Sequence, residues 1–519
     1  MPMKQRTGER KSAIKNSIGR VILVALLILL QIACFMFFVL NVGEKYPAVS
    51  ILMRSVAVLT VLGINSRDNN SRVKLVWVII ILTAPVVGLI LFFIAKYNPY
   101  LSGMKNRLRK IDKDIFKEIK DTATANPSVP ENQNFASVSG YLKGNGFPVF
   151  SGDDVRYFNC AADCFKAQLE DINNARSTIY LEYHAIENSE SFAPLHAVLK
   201  RKAAEGVDCR ILYDDIGSFV FVDYDFMRQL NSEGIKCNVF NRAMPVLSIF
   251  MNNRDHRKLT VIDGHIGYTG GFNIADEYFN ITSPYGYWKD SGIRVEGPAV
   301  DIMSAMFAEM WNFSDMRDRK HSSKIDYRMN YPEKIPGSGL IIPFCDSPID
   351  NEPVGENVYI NILNSAKNYC WFMSPYLVLS DELNRAFVLA AKRGVDVRII
   401  TPGVPDKKTV YSVTRSYYKF LALNGVKIYE YTPGFEHAKM CISDDSICVV
   451  GTINLDYRSL FHHFEDAVAM YNCDCIANVL KDFNETIDSC RDVTEKSKQK
   501  TSILIDFAKS LLRLVAPLL

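Results

Sequence analysis

Apolar and polar positions change rhythm along the chain, and the changes divide it into parts. Near the start, apolar residues run without a period. Val21 to Leu40 is a largely apolar run behind Lys4, Arg6, Arg10, Lys11, Lys15 and Arg20, and Leu75 to Ala95 carries no charge and is broken only by Pro85 and Gly88. About twenty helical residues span the roughly 30 Å of a hydrocarbon core, so both runs predict transmembrane helices, at about 21–40 and 75–95. The first run is too long for a signal-peptide core, and no small-x-small cleavage site follows before Asn41-Val42-Gly43-Glu44-Lys45. Residues 47–64 are apolar but shorter and carry Arg54, which predicts an interfacial or re-entrant segment and leaves a third span open. The N-terminus is basic, and so is the stretch holding Lys96, Lys105, Arg107, Arg109, Lys110, Lys113, Lys117 and Lys120. Both flanks are expected on the cytoplasmic side, which requires an even number of crossings.

From Met104 the rhythm becomes helical: Met104, Leu108, Ile111, Ile115 and Ile119 fall on one face with basic residues around them. Such a helix either lies on an anionic lipid surface or packs on the domain behind it. Asp121 to Phe135 has two prolines and no period, and reads as a linker.

Beyond the linker the pattern is stated twice. Ile179–Tyr183 is a β-rich run, followed by helix-like sequence to Gly206 and then by the runs Val207–Tyr213 and Gly234–Phe240. The second pass has Tyr369–Ser374, helix-like sequence to Gly394, then Val395–Ile400 and Gly425–Tyr431. Strand-like runs alternating with helical stretches that end in Gly indicate α/β layers. Two such passes indicate a duplicated α/β domain with pseudo-twofold symmetry. The expected organisation is a membrane anchor at 1–100, a basic amphipathic segment and linker at 101–135, a first motif-bearing domain at 136–330 and a second at 331–495. An amphipathic helix is expected at 496–519, with Lys509 and Arg513 among leucines. The break between the two domains is placed where Pro332, Pro336, Gly337 and Gly339 interrupt the pattern.

Composition narrows this picture only slightly. A length of 519 residues accommodates two or three cores, and a net charge of +3 gives no bulk argument for a nucleic-acid partner. The twelve cysteines are scattered without repeated spacing, which predicts buried, reduced thiols. Cys473-x-Cys475 has no His or second Cys pair beside it and is not expected to bind zinc.

The chemistry lies in a motif that each pass repeats, His-x-Lys-x4-Asp-x6-Gly-x-x-Asn. The first copy is His256, Lys258, Asp263, Gly270 and Asn273; the second is His437, Lys439, Asp444, Gly451 and Asn454. Five fixed positions match by chance at roughly one site in a few million, so two copies are not a coincidence. Each copy supplies an imidazole, an ammonium and an amide, and two facing copies would make a site for phosphodiester chemistry. His and Lys lie two apart in a β-type run and therefore share a face. Asp263 and Asp444 complete the triplets but have the opposite parity, and Asp263-Gly264 is a hairpin-turn signal, so both are expected to organise a turn and not to touch substrate. Gly271, Asn273, Thr452 and Asn454 follow as phosphate-binding or supporting residues. A working imidazole needs a partner on its other nitrogen. The candidates are Asp290 in Tyr287-Trp-Lys-Asp290 and Glu465 in Phe461-His-His-Phe-Glu465. His184, His196, His265, His321, His462 and His463 are read as structural, with His462 and His463 weighed as residues at the mouth of the site.

The paired motifs resemble the phospholipase D superfamily, the HKD enzymes, over roughly residues 136 to 490. The chain as a whole resembles the bacterial cardiolipin synthase branch. Supporting stretches are Asn65-Ser-Arg-Asp-Asn-Asn70, Pro85-Val-Val-Gly88, Tyr213-Asp-Asp-Ile-Gly-Ser218, Pro402-Gly-Val-Pro-Asp-Lys-Lys408 and Asn454-Leu-Asp-Tyr-Arg-Ser459. The resemblance implies a cell-membrane enzyme acting by two-step phosphatidyl transfer without metal or other cofactor. His256 would attack the phosphorus of a phosphatidylglycerol to form a phosphohistidine. His437 would protonate the departing glycerol and then deprotonate the hydroxyl of a second phosphatidylglycerol, giving cardiolipin. Lys258 and Lys439 would neutralise the phosphate oxygens. The expected partners are phosphatidylglycerol and anionic membrane lipids, with no nucleic acid. Water as acceptor would make the enzyme a phospholipase D, and serine a phosphatidylserine synthase. A nuclease would need a basic, aromatic-lined groove on the catalytic part, whereas the positive runs flank the apolar segments.

Overall fold

A computed structural model describes residues 47–66, 71–96, 99–122, 134–242, 253–314, 337–350 and 352–500, with a few positions beyond. The run at 21–40, most of the linker, the break between the two passes and nearly all of 496–519 lie outside the described residues. The chain divides into two units: Met1–Asn106 with Ala243–Asn253 and Ile503–Leu519, and Arg107–Arg242 with Arg254–Ser502.

In the first unit the expected span at 75–95 is not one helix. Ser71–Thr83 and Pro85–Lys96 are separate helices packed back on each other. Pro85 disfavours helical geometry at Ala84, which ends the first helix there. Gly88 then permits the close return, since a Cβ at this position would stand 2.5 Å from Ile81 Cα. Trp77 and Phe92 meet edge to face across the hairpin, with ring centroids 5.4 Å apart. Each arm is about 20 Å long, short of a hydrocarbon core. Residues 47–64, expected to be interfacial or re-entrant, form the continuous helix Pro47–Asn65. Its Ala57 and Ile64 join Ile81, Leu89 and Phe92 in a small core, while Ile51, Leu52, Leu59 and Leu62 are exposed. Among the described residues no helix is long and apolar enough to cross a membrane.

The helix Pro99–Thr122 continues into the second unit. From Arg107 onward it packs on that unit: Leu108 and Ile115 are buried, and Arg107 and Arg109 donate to the carbonyls of Asn312 (3.1 Å) and Ile349 (2.9 Å from Nε). The packing alternative accounts for this part of the amphipathic segment.

The second unit is an α/β protein with two matching sheets. One runs, in spatial order, Asp154–Phe158, Gly292–Glu296, Ile266–Gly270, Lys258–Ile262, Thr178–Tyr183, Asp208–Asp214 and Lys236–Phe240. The other contains, in the same order, Leu340–Asp346, His463–Tyr471, Ile447–Gly451, Met440–Ser443, Tyr369–Met373, Asp396–Pro402 and Lys427–Tyr431, with short additions at its edges. In each sheet the last three strands are parallel and the rest antiparallel. The parallel trio is made by the β-rich runs expected from sequence. The described cysteines are free thiols, most of them buried.

Candidate active site

Neither motif histidine lies in the strand that follows it, Lys258–Ile262 or Met440–Ser443; each stands just before that strand, where a short parallel pairing crosses to the other half. Arg254–Asp255 pairs with His463–Phe464, and the His256 amide then donates to the Phe464 carbonyl at 2.9 Å. The next residue on that strand is Glu465. In the second half, Gly434–Glu436 pairs with Tyr287–Lys289, and the His437 amide donates to the Lys289 carbonyl at 2.7 Å. The next residue there is Asp290. The partners are thus exchanged between halves. His256 Nδ1 lies 2.9 Å from both oxygens of Glu465, and His437 Nδ1 lies 2.7 Å from Asp290 Oδ2. With Nδ1–H donating to a carboxylate, each imidazole keeps Nε2 for chemistry.

Both carboxylates are buried and held in turn. Thr452 Oγ1 donates to Glu465 Oε2 at 2.5 Å, and Ser459 Oγ donates to Oε1 at 2.6 Å. Asp290 accepts from the Ser291 amide at 2.9 Å and from Trp288 Nε1 at 3.4 Å. A Cβ on Gly271 would come within 2.0 Å of Asp290 Oδ1, so only glycine leaves room for this carboxylate beside His437. Thr452 and Gly271 therefore serve the imidazole partners.

The lysines are buried beside their own histidines. Lys258 Nζ donates to the His256 carbonyl at 2.7 Å, and Lys439 Nζ donates to that of His437. Lys439 Nζ also lies 2.8 Å from His437 Nδ1. A nitrogen that donates to Asp290 cannot accept from Lys439, and the carboxylate is the stronger partner. Burial pushes Lys258 down to about 8 and Lys439 to about 7, with nearby carboxylates opposing the shift. Burial, and then the neighbouring ammonium, pushes the imidazole of His437 down to about 4 and that of His256 well below its ordinary value. Near pH 7 both imidazoles are therefore neutral, and a neighbouring anion would favour their charged form.

Asp263 and Asp444 directly follow the strands Lys258–Ile262 and Met440–Ser443, at the ends away from the imidazoles. Asp263 accepts from the backbone amides of Arg176, Ser177 and Thr178 at 2.7 to 2.9 Å; Asp444 accepts from those of Lys367, Asn368 and Tyr369 at 2.8 to 3.0 Å. Both have left-handed backbones in the hairpin turn (φ 49° and 50°), and both tie that turn to the start of a neighbouring strand. The amide of Asn273 is committed, accepting from the Ala185 amide at 3.1 Å and donating to Tyr278 Oη at 2.8 Å. The buried Asn454 Oδ1 has no hydrogen-bond partner, which makes it the freer of the two for a ligand.

Two histidines read as structural belong to this site. His184 packs against His256 with ring centroids 5.0 Å apart, and His463 packs against it at 5.2 Å. His463 lies two residues before Glu465 in one strand and so shares its face, a parity signal available in the sequence. His184 follows its strand directly and carries no comparable signal. On the other side, Tyr278, Trp288 and Phe435 wall in His437, with centroids 5.1 to 5.7 Å from its ring.

The chain is similar to known proteins over most of its length. The family model described as "Cardiolipin synthase, PLD-like domain" matches residues 169–311 and 359–487, and "Phospholipase_D-nuclease N-terminal" matches 55–96. An uncharacterized protein of Streptococcus mutans is 39% identical over 454 residues, covering 85% of this chain and 96% of that protein. A cardiolipin synthase of Listeria monocytogenes is 32% identical over 456 residues, covering 85% and 93%. The fold is also that of a phosphatidylserine synthase from Haemophilus influenzae, with a TM-score of 0.56, 15% identity, and 73% and 99% coverage.

Proposed function

Since the chain belongs to the cardiolipin synthase-like branch of the phospholipase D superfamily, we propose that it is a membrane-bound phosphatidyltransferase making cardiolipin and glycerol from two phosphatidylglycerol molecules. The observation that carries this reading is the exchanged pair of imidazole–carboxylate contacts, His256 with Glu465 and His437 with Asp290. Two oriented imidazoles with two buried lysines suit a displacement in two halves.

In the first half-reaction, Nε2 of neutral His256 attacks phosphorus and the P–O bond to glycerol breaks. His437 gives its Nε2 proton to the departing oxygen. The protein's own groups make that proton scarce, since burial and Lys439 hold the imidazole down to about 4. The phosphodiester anion offsets this by adding negative charge beside His437 and the two lysines. In the second half-reaction, the hydroxyl of a second phosphatidylglycerol loses its proton to His437 and attacks phosphorus. The N–P bond to His256 then breaks, restoring both imidazoles. Glu465 and Asp290 fix the tautomers and stabilise the positive charge that each ring acquires. Lys258 and Lys439 balance the charge on the phosphate oxygens. Location at the cell membrane, with both halves on its cytoplasmic face, is supported by the apolar N-terminal runs and the basic stretch that follows them.

Incubating the purified full-length protein in liposomes with labelled phosphatidylglycerol tests this reading. Cardiolipin and glycerol in equal amounts are expected. Phosphatidic acid as the only phospholipid product would contradict the proposal and make the chain a hydrolase.

A further inference from the structure

His463 is a buried imidazole with no evident task. Its side chain is 10% exposed, and neither ring nitrogen has a hydrogen-bond partner. Nδ1 stands 3.5 Å from Glu465 Oε1, a distance for an ion pair when the ring is protonated but not a hydrogen bond here. Leaving both nitrogens of a buried ring unmet is unfavourable, and such a group points to a ligand. The ring faces His256, and both lie over the same carboxylate. Among the described residues, His256, His463 and Glu465 alone bring three metal-capable side chains together with ligand atoms within 4.8 Å of one another.

We propose that these three residues form an inhibitory site for a divalent transition metal of the zinc class. Two imidazoles and one carboxylate are donors that zinc takes at about 2.0 to 2.2 Å, with a fourth position left for water or a phosphate oxygen. Magnesium and calcium, which require oxygen donors throughout, do not fit this set. His256 Nδ1 and His463 Nδ1 stand 2.9 and 3.5 Å from oxygens of Glu465, so modest side-chain shifts accommodate the ion. His184 forms the fixed wall behind them. Its Nδ1 is committed to the Asp255 carbonyl at 2.7 Å, and its ring lies against the backbone turn at Gly217, where a Cβ would come within 2.7 Å of Nε2.

Inhibition follows from which nitrogen the metal occupies, and this step rests on the reading of His256 as the attacking group. Nδ1 of His256 faces Glu465, so a metal bound there replaces the hydrogen bond between them. The single proton of the neutral ring moves to Nε2, through solvent and with no change of oxidation state. Nε2 then carries hydrogen and cannot attack phosphorus. Zinc thus holds the site in the wrong tautomer without distorting the fold.

The test uses full-length protein in detergent, stripped with chelator and dialysed against zinc. About one zinc per chain is expected at micromolar free metal, together with at least a tenfold loss of turnover that EDTA reverses. Cobalt in its place should give the strong visible bands of a four-coordinate site. His463→Asn should weaken zinc binding at least tenfold, and its remaining turnover should no longer respond to zinc. His196→Ala, at a histidine paired with Glu233 away from the site, should bind as the wild type does. No bound zinc, equal binding by His463→Asn, or a six-coordinate cobalt spectrum would overturn the proposal. If His463→Asn does not fold, the wild-type cobalt spectrum decides alone. Zinc binding is read without lipid, so a chain that binds zinc through His463 but transfers no phosphatidyl group would retain this site and lose the functional reading.

Discussion

The two halves of the catalytic unit repeat one sheet order strand for strand, yet they surround their imidazoles with different chemistry. His256 lies among His184 and His463 and faces both oxygens of Glu465, which Thr452 and Ser459 hold in place. His437 lies in an aromatic box of Tyr278, Trp288 and Phe435, with an ammonium 2.8 Å from its ring. Duplication therefore conserved the scaffold, and the side chains between strands diverged. A polar nest suits a ring that must accept and release a phosphoryl group. A closed aromatic box suits a ring that only moves a proton. The exchange of carboxylates also means that neither half has a working imidazole of its own.

The largest effects should come from the rings. His256→Ala and His437→Ala are each expected to lower phosphatidyl transfer by roughly 10⁴-fold or more, measured as labelled cardiolipin formed. Near wild-type activity in either would break the two-imidazole account. Next come the exchanged partners. Glu465→Gln and Asp290→Asn should each cost roughly 10³- to 10⁴-fold, since an amide can stabilise the wrong tautomer. Single-turnover kinetics sharpens the comparison: Glu465→Gln should slow formation of the covalent intermediate, whereas Asp290→Asn should slow both its formation and its consumption.

Behind the rings the halves differ in stability as well. Arg257 is fully buried and pairs with Glu309 at 3.0 Å, while the matching residue of the second half is Ala438. Arg257→Ala leaves Glu309 buried without its partner and should reduce unfolding free energy by roughly 3 to 5 kcal/mol. Ala438→Gly, which breaks no such pair, should cost about 1 kcal/mol or less in denaturant titration. The smallest predicted effect is on pH dependence. Burial lowers Lys439 to about 7 and Lys258 to about 8 in the free enzyme, so their charge is present at lower pH and lost as pH rises through these values. kcat/KM should fall above about pH 7, and Lys439→Arg should move that limb upward, because guanidinium stays charged.

What was legible in the sequence was local or repeated. β-rich runs between helix-like stretches gave the parallel strands, and parity separated Asp263 and Asp444 from the imidazoles. The paired spacing of the motif identified the six residues His256, Lys258, Asp263, His437, Lys439 and Asp444. Contacts between halves were not legible. Asp290 and Glu465 stood out as candidates, but which histidine each would serve depends on the two short parallel pairings, which join residues 147 to 209 positions apart. The helical hairpin at 71–96 was missed because hydropathy does not register chain reversal: Pro85 and Gly88 look tolerable in a span and in fact make the turn. His463 was read as structural, with a place at the mouth of the site weighed, although its parity with Glu465 placed it on the working face.

The central claim is that His256 carries the phosphatidyl group while His437 handles protons. Rapid quenching of the protein with phosphatidylglycerol labelled on phosphorus, followed by peptide mapping under conditions that preserve phosphohistidine, tests it directly. Label is expected on the peptide containing His256, chased by added unlabelled phosphatidylglycerol into cardiolipin. Label on the His437 peptide, or no covalent label during active turnover, would contradict it.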